Sequence, residues 1–490
     1  MLPFVRLVRV AIVGTWAALL IALASAHLPS APVDPAEAPP PAADARAAAD
    51  EVWSGVYMKG SKIGYGHYKA VPAGDGLQIE ETSLLRLIVL EREQTVRAVI
   101  NAEADRTYAL RRFDVSLVSD LGTFAARGQV KDAELILSVE AGGERTEQRL
   151  PLSEPLFLPA AARARLSAGE LRAGATLTVQ AFDASAMQHQ PLTLRVVGRE
   201  TITVDGRELA AWKVHESFRG METDVWLDDD GRMLRERGPM GLEVVRESAA
   251  DAVAKGWSST PLDLMGAVAV PVAAPIADAR ERPRLRMRFA APDGVTVPAD
   301  ARQRVDGEEL TVSREAVGAS TYQLPYRDAQ WQSELQPTVF LQSDHPKVRA
   351  AALAVVGDER DPLAATERLR RWVHDELEKR PAATLPNALQ VLEMRAGDCN
   401  EHAVLFAALA RAAGLPTRVV AGLVYQDGAF LYHAWNEVWI GSGWVSVDAT
   451  FDQLPADVTH IKLVEGGPET HAALVPLIGQ VSIRILPEQG

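Results

Sequence analysis

From Val52 to about Glu247 apolar and polar residues alternate in short runs broken by glycine and aspartate. Examples are Leu77-Gln78-Ile79-Glu80-Glu81-Thr82, Thr201-Ile202-Thr203-Val204 before Asp205-Gly206, and Thr223-Asp224-Val225-Trp226-Leu227 before Asp230-Gly231. Successive side chains of a strand point to opposite faces, so this period specifies sheet, and the Asp-Gly pairs mark hairpin turns. From His345-Pro346 the period lengthens to that of a helix. Leu363, Leu369, Trp372, Val373 and Leu377 recur at helical spacing between Pro362 and Lys379, Pro381 stops the run, and Asn387 caps a short helix carrying Ala388, Val391 and Leu392. One change of period predicts an α+β protein, with an antiparallel β-rich domain over 51–248 and a second domain over 283–490. The second domain opens with a short β extension that includes Leu285-Arg286-Met287-Arg288-Phe289 and Glu309-Leu310-Thr311-Val312. The alanine- and proline-rich stretch 249–282 reads as a linker.

The N-terminus reads as an address. Arg6 and Arg9 precede an apolar run from Val10 to Ala24, and Ala24-Ser25-Ala26 has the small-x-small pattern of a cleavage site. Residues 1–26 are therefore expected to be a signal peptide, or an N-terminal membrane anchor if uncleaved, and the mature chain to be periplasmic or secreted. Residues 27–50 lack periodicity and are dominated by alanine and proline, which predicts a disordered spacer. Association with the cell envelope fits this reading. No oligomeric state follows from the sequence.

Composition removes one class of partner. Lysine plus arginine total 51 against 65 aspartate plus glutamate, a formal net charge of -14. A surface so acidic repels phosphate backbones, and no local basic patch offsets it, so nucleic acid is excluded as a partner. The expected partner is a protein or peptide substrate.

Cys399 is the only cysteine in 490 residues, so no intramolecular disulfide can form. Exported proteins usually pair the cysteines they keep. A solitary one is either buried and inert or reactive. It follows Gly397-Asp398 and precedes an amphipathic run (Val404, Leu405, Ala408, Leu409, Ala412) that ends at Gly414 and Pro416, which puts it in the first turn of a helix. The positive end of the helix dipole there favours a thiolate.

Three strand-like segments follow: Arg418–Tyr425, Phe430–Ile440 and Gly443–Asp448. If Gly441-Ser442 is a two-residue hairpin loop, Ile440 pairs with Gly443 and Trp435 stands opposite Asp448, so His433, Trp435 and Asp448 share a face. His433 is then the diagonal neighbour of Asp448, with backbones roughly 7–8 Å apart. The three residue types suit covalent acyl transfer, with Cys399 as nucleophile, His433 as general base and acid, and Asp448 fixing the imidazole tautomer. The Cys399 amide is the natural first oxyanion donor. Trp435 is the candidate for substrate contact, while Trp439 and Trp444 read as core and rim packing. His402, one turn past Cys399, reads as a supporting hydrogen-bond partner. No metal and no cofactor are expected.

Gly397-Asp398-Cys399 with Glu401-His402, Gly414-Leu415-Pro416, Arg418-Val419-Val420, His433-Ala434-Trp435 with Glu437-Val438, Gly443-Trp444 and Val447-Asp448-Ala449-Thr450 together resemble the bacterial transglutaminase-like superfamily over about 340–490. The tail Asp457-Val458-Thr459-His460-Ile461 resembles that family's closing region. The resemblance implies a papain-like fold, with the nucleophile helix against an antiparallel sheet, and a catalytic triad at Cys399, His433 and Asp448. It implies an acyltransferase that uses an amine acceptor, or a peptidase or amidase that uses water. The competing expectation is an envelope scaffold or peptide- or cell-wall-binding module without catalysis.

Overall fold

The computed structural model describes residues 50–487 apart from 90–91, 120–121, 142–143, 169–170, 184–186, 219–220, 255–256, 258–261, 264–267, 293–294, 381–386, 468–469, 471–473 and 475–476. The leader at 1–26 and the spacer up to residue 49 lie outside the described residues. Strand makes up 50% and helix 20% of the structure. The chain is thus mostly β, with four of its helices gathered at 346–412, and the α+β expectation is not confirmed for the whole. Among the described residues no helix is long and apolar enough to cross a membrane. Two compact units adjoin in sequence at Asp263 and Leu264.

The alternating pattern of the first unit becomes a meander. Strands β1 (Asp50–Met58), β2 (Ser61–Ala73), β3 (Gly76–Val89), β4 (Arg92–Asp105), β5 (Leu110–Ser119), β6 (Gly122–Lys131), β7 (Glu134–Ala141) and β8 (Glu144–Pro151) follow one another across the sheet. The chain then passes through β9 (Leu156–Phe157) and helix α1 (Pro159–Ala168). It returns through β10 (Thr176–Asp183), β11 (Gln188–Val204), β12 (Arg207–Phe218), β13 (Met221–Leu227), β14 (Met233–Arg237) and β15 (Leu242–Glu247), and β15 pairs antiparallel with β1. The sheet curls, bringing Phe113 of β5 and Phe182 of β10, far apart in strand order, to ring centroids 4.2 Å apart at a tilt of 36°.

Helix α1 presents a fully buried cation to the sheet. Arg163 donates from Nε to Glu216 of β12 at 2.8 Å, and its Nη1 lies 3.3 Å from Glu236 of β14. Burial pushes the Glu81 carboxyl up to about 8 despite the nearby Arg163 charge, and it raises Glu236 well above the usual range. Replacing Arg163 with methionine removes the buried partner of Glu216 and Glu236. The expected loss is about 3–5 kcal/mol of unfolding free energy, read from urea titration of the full chain.

Residues 249–282 hold more order than a linker. Helix α2 (Ala249–Ala254) and β16 (Leu262–Asp263) belong to the first unit, β16 pairing parallel with β3. β17 (Val270–Pro271) pairs with a strand of the second unit. Backbone pairing at these short segments needs no side-chain period, so their alanine and proline composition did not reveal it.

The second unit begins with β18 (Arg284–Ala290), β19 (Gln303–Asp306) and β20 (Glu309–Ser313). Helices α3 (Pro346–Val356), α4 (Pro362–Glu376) and α5 (Ala388–Met394) follow, then α6 (Cys399–Ala412). Short β21 (Glu378–Lys379) and β22 (Ala396–Gly397) pair just before α6. The main sheet is built from β23 (Thr417–Gln426), β24 (Ala429–Trp439), β25 (Trp444–Val447) and β26 (Ile461–Gly466), while β27 (Ser482–Ile485) returns to β18. Helix α6 is buried along almost its whole length against β23 and β24.

The β extension reaches into this sheet. Buried Arg302 donates to Ser446 Oγ (3.0 Å) and to the carbonyls of Ala456 (3.0 Å), Asp457 and His460 (3.0 Å). Gln303 exchanges side-chain hydrogen bonds with the backbone of Lys462, at 2.7 and 2.9 Å. The 446–460 loop is thereby clamped from outside.

Gly422 of β23 permits the close approach of β26. A Cβ there would stand 1.9 Å from the Ile461 carbonyl oxygen, at a register shift between Ala421 and Gly422. The Gly422→Ala variant must push β26 away and is expected to lose about 1–3 kcal/mol of stability by urea titration.

Candidate active site

The start of α6 explains the residues around the cysteine. Asp398 caps the helix by accepting from Asn400 N at 2.9 Å, and Glu401 Oε2 accepts from Asp398 N at 2.9 Å, a reciprocal capping box. Gly397 is required because a Cβ there would lie 2.2 Å from Cβ of the folded-back Glu401. Burial, followed by the charge of Asp398, raises the Glu401 carboxyl well above its usual range.

Cys399 meets the sheet at a gap. Along the outer edge of β24, β17 pairs only with Ala429 and Phe430, and pairing with β25 starts at Asn436, so among the described residues no strand covers 431–435 on that edge. The first turn of α6 fills this place. The Cys399 thiol accepts from the Ala434 N–H, and Asn436 Nδ2 donates to Ala403 O at 3.0 Å, fastening helix to strand.

The hairpin runs in the register that a two-residue loop demands. Trp439 faces Trp444, Asn436 faces Val447, and Ile440 N donates to Gly443 O at 3.1 Å. Continuing the count sets Trp435 against Asp448. His433 Nε2 lies 2.7 Å from Asp448 Oδ2, with both side chains fully buried. His433 Nδ1 makes no hydrogen bond.

Asp448 stands just past β25, in a loop closed by paired backbone hydrogen bonds with Gln453, both 2.9 Å. Its Oδ1 accepts from Thr450 N (2.7 Å) and Phe451 N (3.1 Å). Its Oδ2 meets a second imidazole, His460 Nε2, at 3.0 Å, and His460 Nδ1 lies 3.3 Å from Asp457 Oδ1. Helix α4 braces this loop, since His374 Nδ1 contacts Ala449 O at 2.9 Å and Arg370 pairs with Asp452.

The electrostatics separate the two histidines. Burial alone would raise the Asp448 carboxyl, but His433 and His460 together hold it well below the usual range. Burial lowers His433 more than Asp448 raises it. For His460 the two carboxylates, Asp457 first, overcome burial and raise it. Burial, then Asp398, pushes the Cys399 thiol well up. Cys399 is 1% exposed with acidic side chains beside it, so burial works against the thiolate that the helix dipole favours.

His402 Nδ1 donates to Asp398 O at 2.7 Å, so it buttresses the cap of α6. Trp435 is 2% exposed and packs beside His433 and His460, centroids 6.1 and 5.2 Å away, so it walls the imidazoles and faces no open surface. Trp439 and Trp444 cluster with Trp331 instead. His433, Asp448 and His460 bring three ligand-type atoms within 4.8 Å of one another. Their separations of 2.7 and 3.0 Å are hydrogen-bond contacts, shorter than the roughly 3.3 Å between two ligands each about 2.0 Å from a tetrahedral zinc.

Residues 349–449 match the model of the Transglutaminase-like superfamily. The second unit carries a transglutaminase-like domain. A protein-glutamine gamma-glutamyltransferase of Pseudomonas aeruginosa is 31% identical over 152 residues, 27% of this chain and 22% of that relative's length. Residues 132–244 match a family of unknown function, DUF3108. Among solved structures, a proposed cysteine protease from Cytophaga hutchinsonii aligns over 44% of this chain and 78% of its own, at 17% identity and TM-score 0.28. A β-barrel-like DUF1849 protein from Brucella abortus aligns over 41% and 96%, at 14% identity and TM-score 0.33.

Burial pushes His402 down to about 4, below its ordinary value of 6.5. Between these values the unfolded chain binds the proton and the folded chain does not, so stability falls as pH falls through that window. The wild type is expected to lose about 2–3 kcal/mol more than His402→Gln between pH 7 and 4.5, measured by urea titration at both pH values.

Proposed function

We propose that the second unit is a cysteine acyltransferase that acts on protein or peptide carboxamides through a thioester on Cys399, with an amine as preferred acceptor. The observation that carries this reading is the asymmetric hydrogen bonding of His433: Nε2 is held on Asp448, while Nδ1 is unpartnered beside the edge of β24 where the thiol docks. The transglutaminase-like domain and the related gamma-glutamyltransferase support the reaction class.

The chemistry follows from those contacts. As the thiol sulfur bonds to the carboxamide carbon, its proton passes to His433 Nδ1, and Asp448 balances the imidazolium. The Cys399 N–H, at the first helical position where no helical carbonyl reaches, is suited to receive the oxyanion. His433 returns the proton to the departing nitrogen, so ammonia leaves a side-chain amide and a thioester remains. An incoming amine then gives a proton to His433, attacks the thioester carbon and expels the sulfur, which recovers that proton. The gamma-glutamyltransferase named among the relatives supports an amine as acceptor. The leader-like residues 1–26 support a periplasmic or secreted setting, and the acidic surface supports a protein or peptide partner.

A labelled primary amine should be incorporated into a glutamine-containing protein by the wild type. Cys399→Ala should reduce incorporation by at least about 1000-fold, and Asp448→Asn by a comparable factor. Release of ammonia or peptide without amine incorporation would reassign the enzyme as a hydrolase. Equal background from wild type and Cys399→Ala would leave the domain as a binding module.

A further inference from the structure

We propose that His460 is a positioning residue of this site, holding the same Asp448 oxygen that His433 contacts and so determining which nitrogen of His433 is offered to the thiol. The inference rests on the acyl-transfer reading and adds a fourth member to its machinery.

Both nitrogens of His460 face carboxylates, Nε2 towards Asp448 at 3.0 Å and Nδ1 towards Asp457 at 3.3 Å. A neutral imidazole turns one lone pair towards an anion; an imidazole protonated at both nitrogens donates to each. Asp457 is built for this role. Its Oδ1 also accepts from Thr459 N at 2.8 Å and from the Thr459 hydroxyl, and its Oδ2 accepts from Gln453 Nε2 at 2.7 Å. Other groups near this assembly include His433, whose ring centroid lies 5.5 Å from that of His460; Arg302, which donates to the His460 carbonyl; Arg280, 4.0 Å from Asp457; and Lys379, His402 and Cys399, each of which feels the charge of Asp448.

The charges then alternate as Asp457 minus, His460 plus, Asp448 minus. This leaves one net negative charge to meet the imidazolium that forms on His433. Asp448 Oδ2 is shared by two donors, so its rotation about the side chain is blocked and His433 has one hydrogen-bonded orientation. Trp435 and Phe451 close over the His460 ring, centroids 5.2 and 6.1 Å away. The pairing is thus kept from water, where it would be weak.

The test compares full-length wild type with His460→Phe, which keeps an aromatic ring but no donor, and with His460→Gln, which keeps one donor. Long-range nitrogen NMR of labelled histidines, from about pH 5 to 9, reads the His433 tautomer directly. Iodoacetamide labelling reads the Cys399 rate, and the amine assay separates kcat from KM. The expected wild-type His433 is the Nε2–H tautomer. In His460→Phe that population falls, the pH profile of labelling shifts, and kcat drops roughly 10- to 100-fold with KM nearly unchanged, the range for losing an outer partner of a functional histidine. His460→Gln recovers most of the loss. An unchanged His433 tautomer in folded His460→Phe, checked by near-UV circular dichroism, overturns the proposal. So does a tautomer that changes equally in His460→Gln and His460→Phe. A tautomer shift in a chain whose wild-type Cys399 neither labels nor transfers acyl groups would keep the positioning role and remove the enzymatic reading.

Discussion

A single buried carboxylate organises the second unit. Asp448 is sealed from solvent yet receives Thr450 N and Phe451 N on one oxygen and two histidines on the other. An ionised carboxylate in such surroundings is tolerable only because every lone-pair direction is answered. Satisfying it requires the β24–β25 hairpin to hold its register, the 448–453 loop to close, and β26 to start where it does. Arg302 and Gln303 hold that loop and strand from the β extension. The extension is therefore part of the site's framework, although its own strands are short.

The first unit solves a different problem with the same physics. Helix α1 is largely buried against the curled meander. Arg163 gives the helix a fixed seat between carboxylates of β12 and β14. A buried ion pair contributes little net stability beside well-packed apolar groups, but it is costly to misplace. It therefore sets the position of α1 more than its strength of attachment.

Much of this was legible in the sequence, for identifiable reasons. Period-two alternation specified the meander, and Asp-Gly turns specified its hairpins, because both signals are local. The Gly441-Ser442 loop fixed the register that joins His433 to Asp448. Asp398 and Glu401, three residues apart, also carried the capping-box spacing, which is a local signal. His460 was not found in this way. Its tail was visible, but its contact with Asp448 depends on a β26 register shift at Gly422 and on Arg302, some 150 residues upstream in sequence, and neither leaves a pattern near His460. The burial of the Cys399 thiol was not legible for a related reason. Helix position is local, whereas burial depends on the whole sheet.

The stretch of β24 from 431 to 435, which no strand covers among the described residues, carries one more consequence. Strand edges with unpaired amides and carbonyls invite pairing with other chains, and proteins usually guard them with charge, proline or a bulge. Here the guard is the helix that bears Cys399. Any change that loosens the start of α6 both displaces the thiol and bares a strand edge to neighbouring molecules. Damage at this point should appear as insoluble protein, so the soluble fraction of a variant library under-reports how many substitutions around Gly397–Glu401 the surroundings of the thiol could accept.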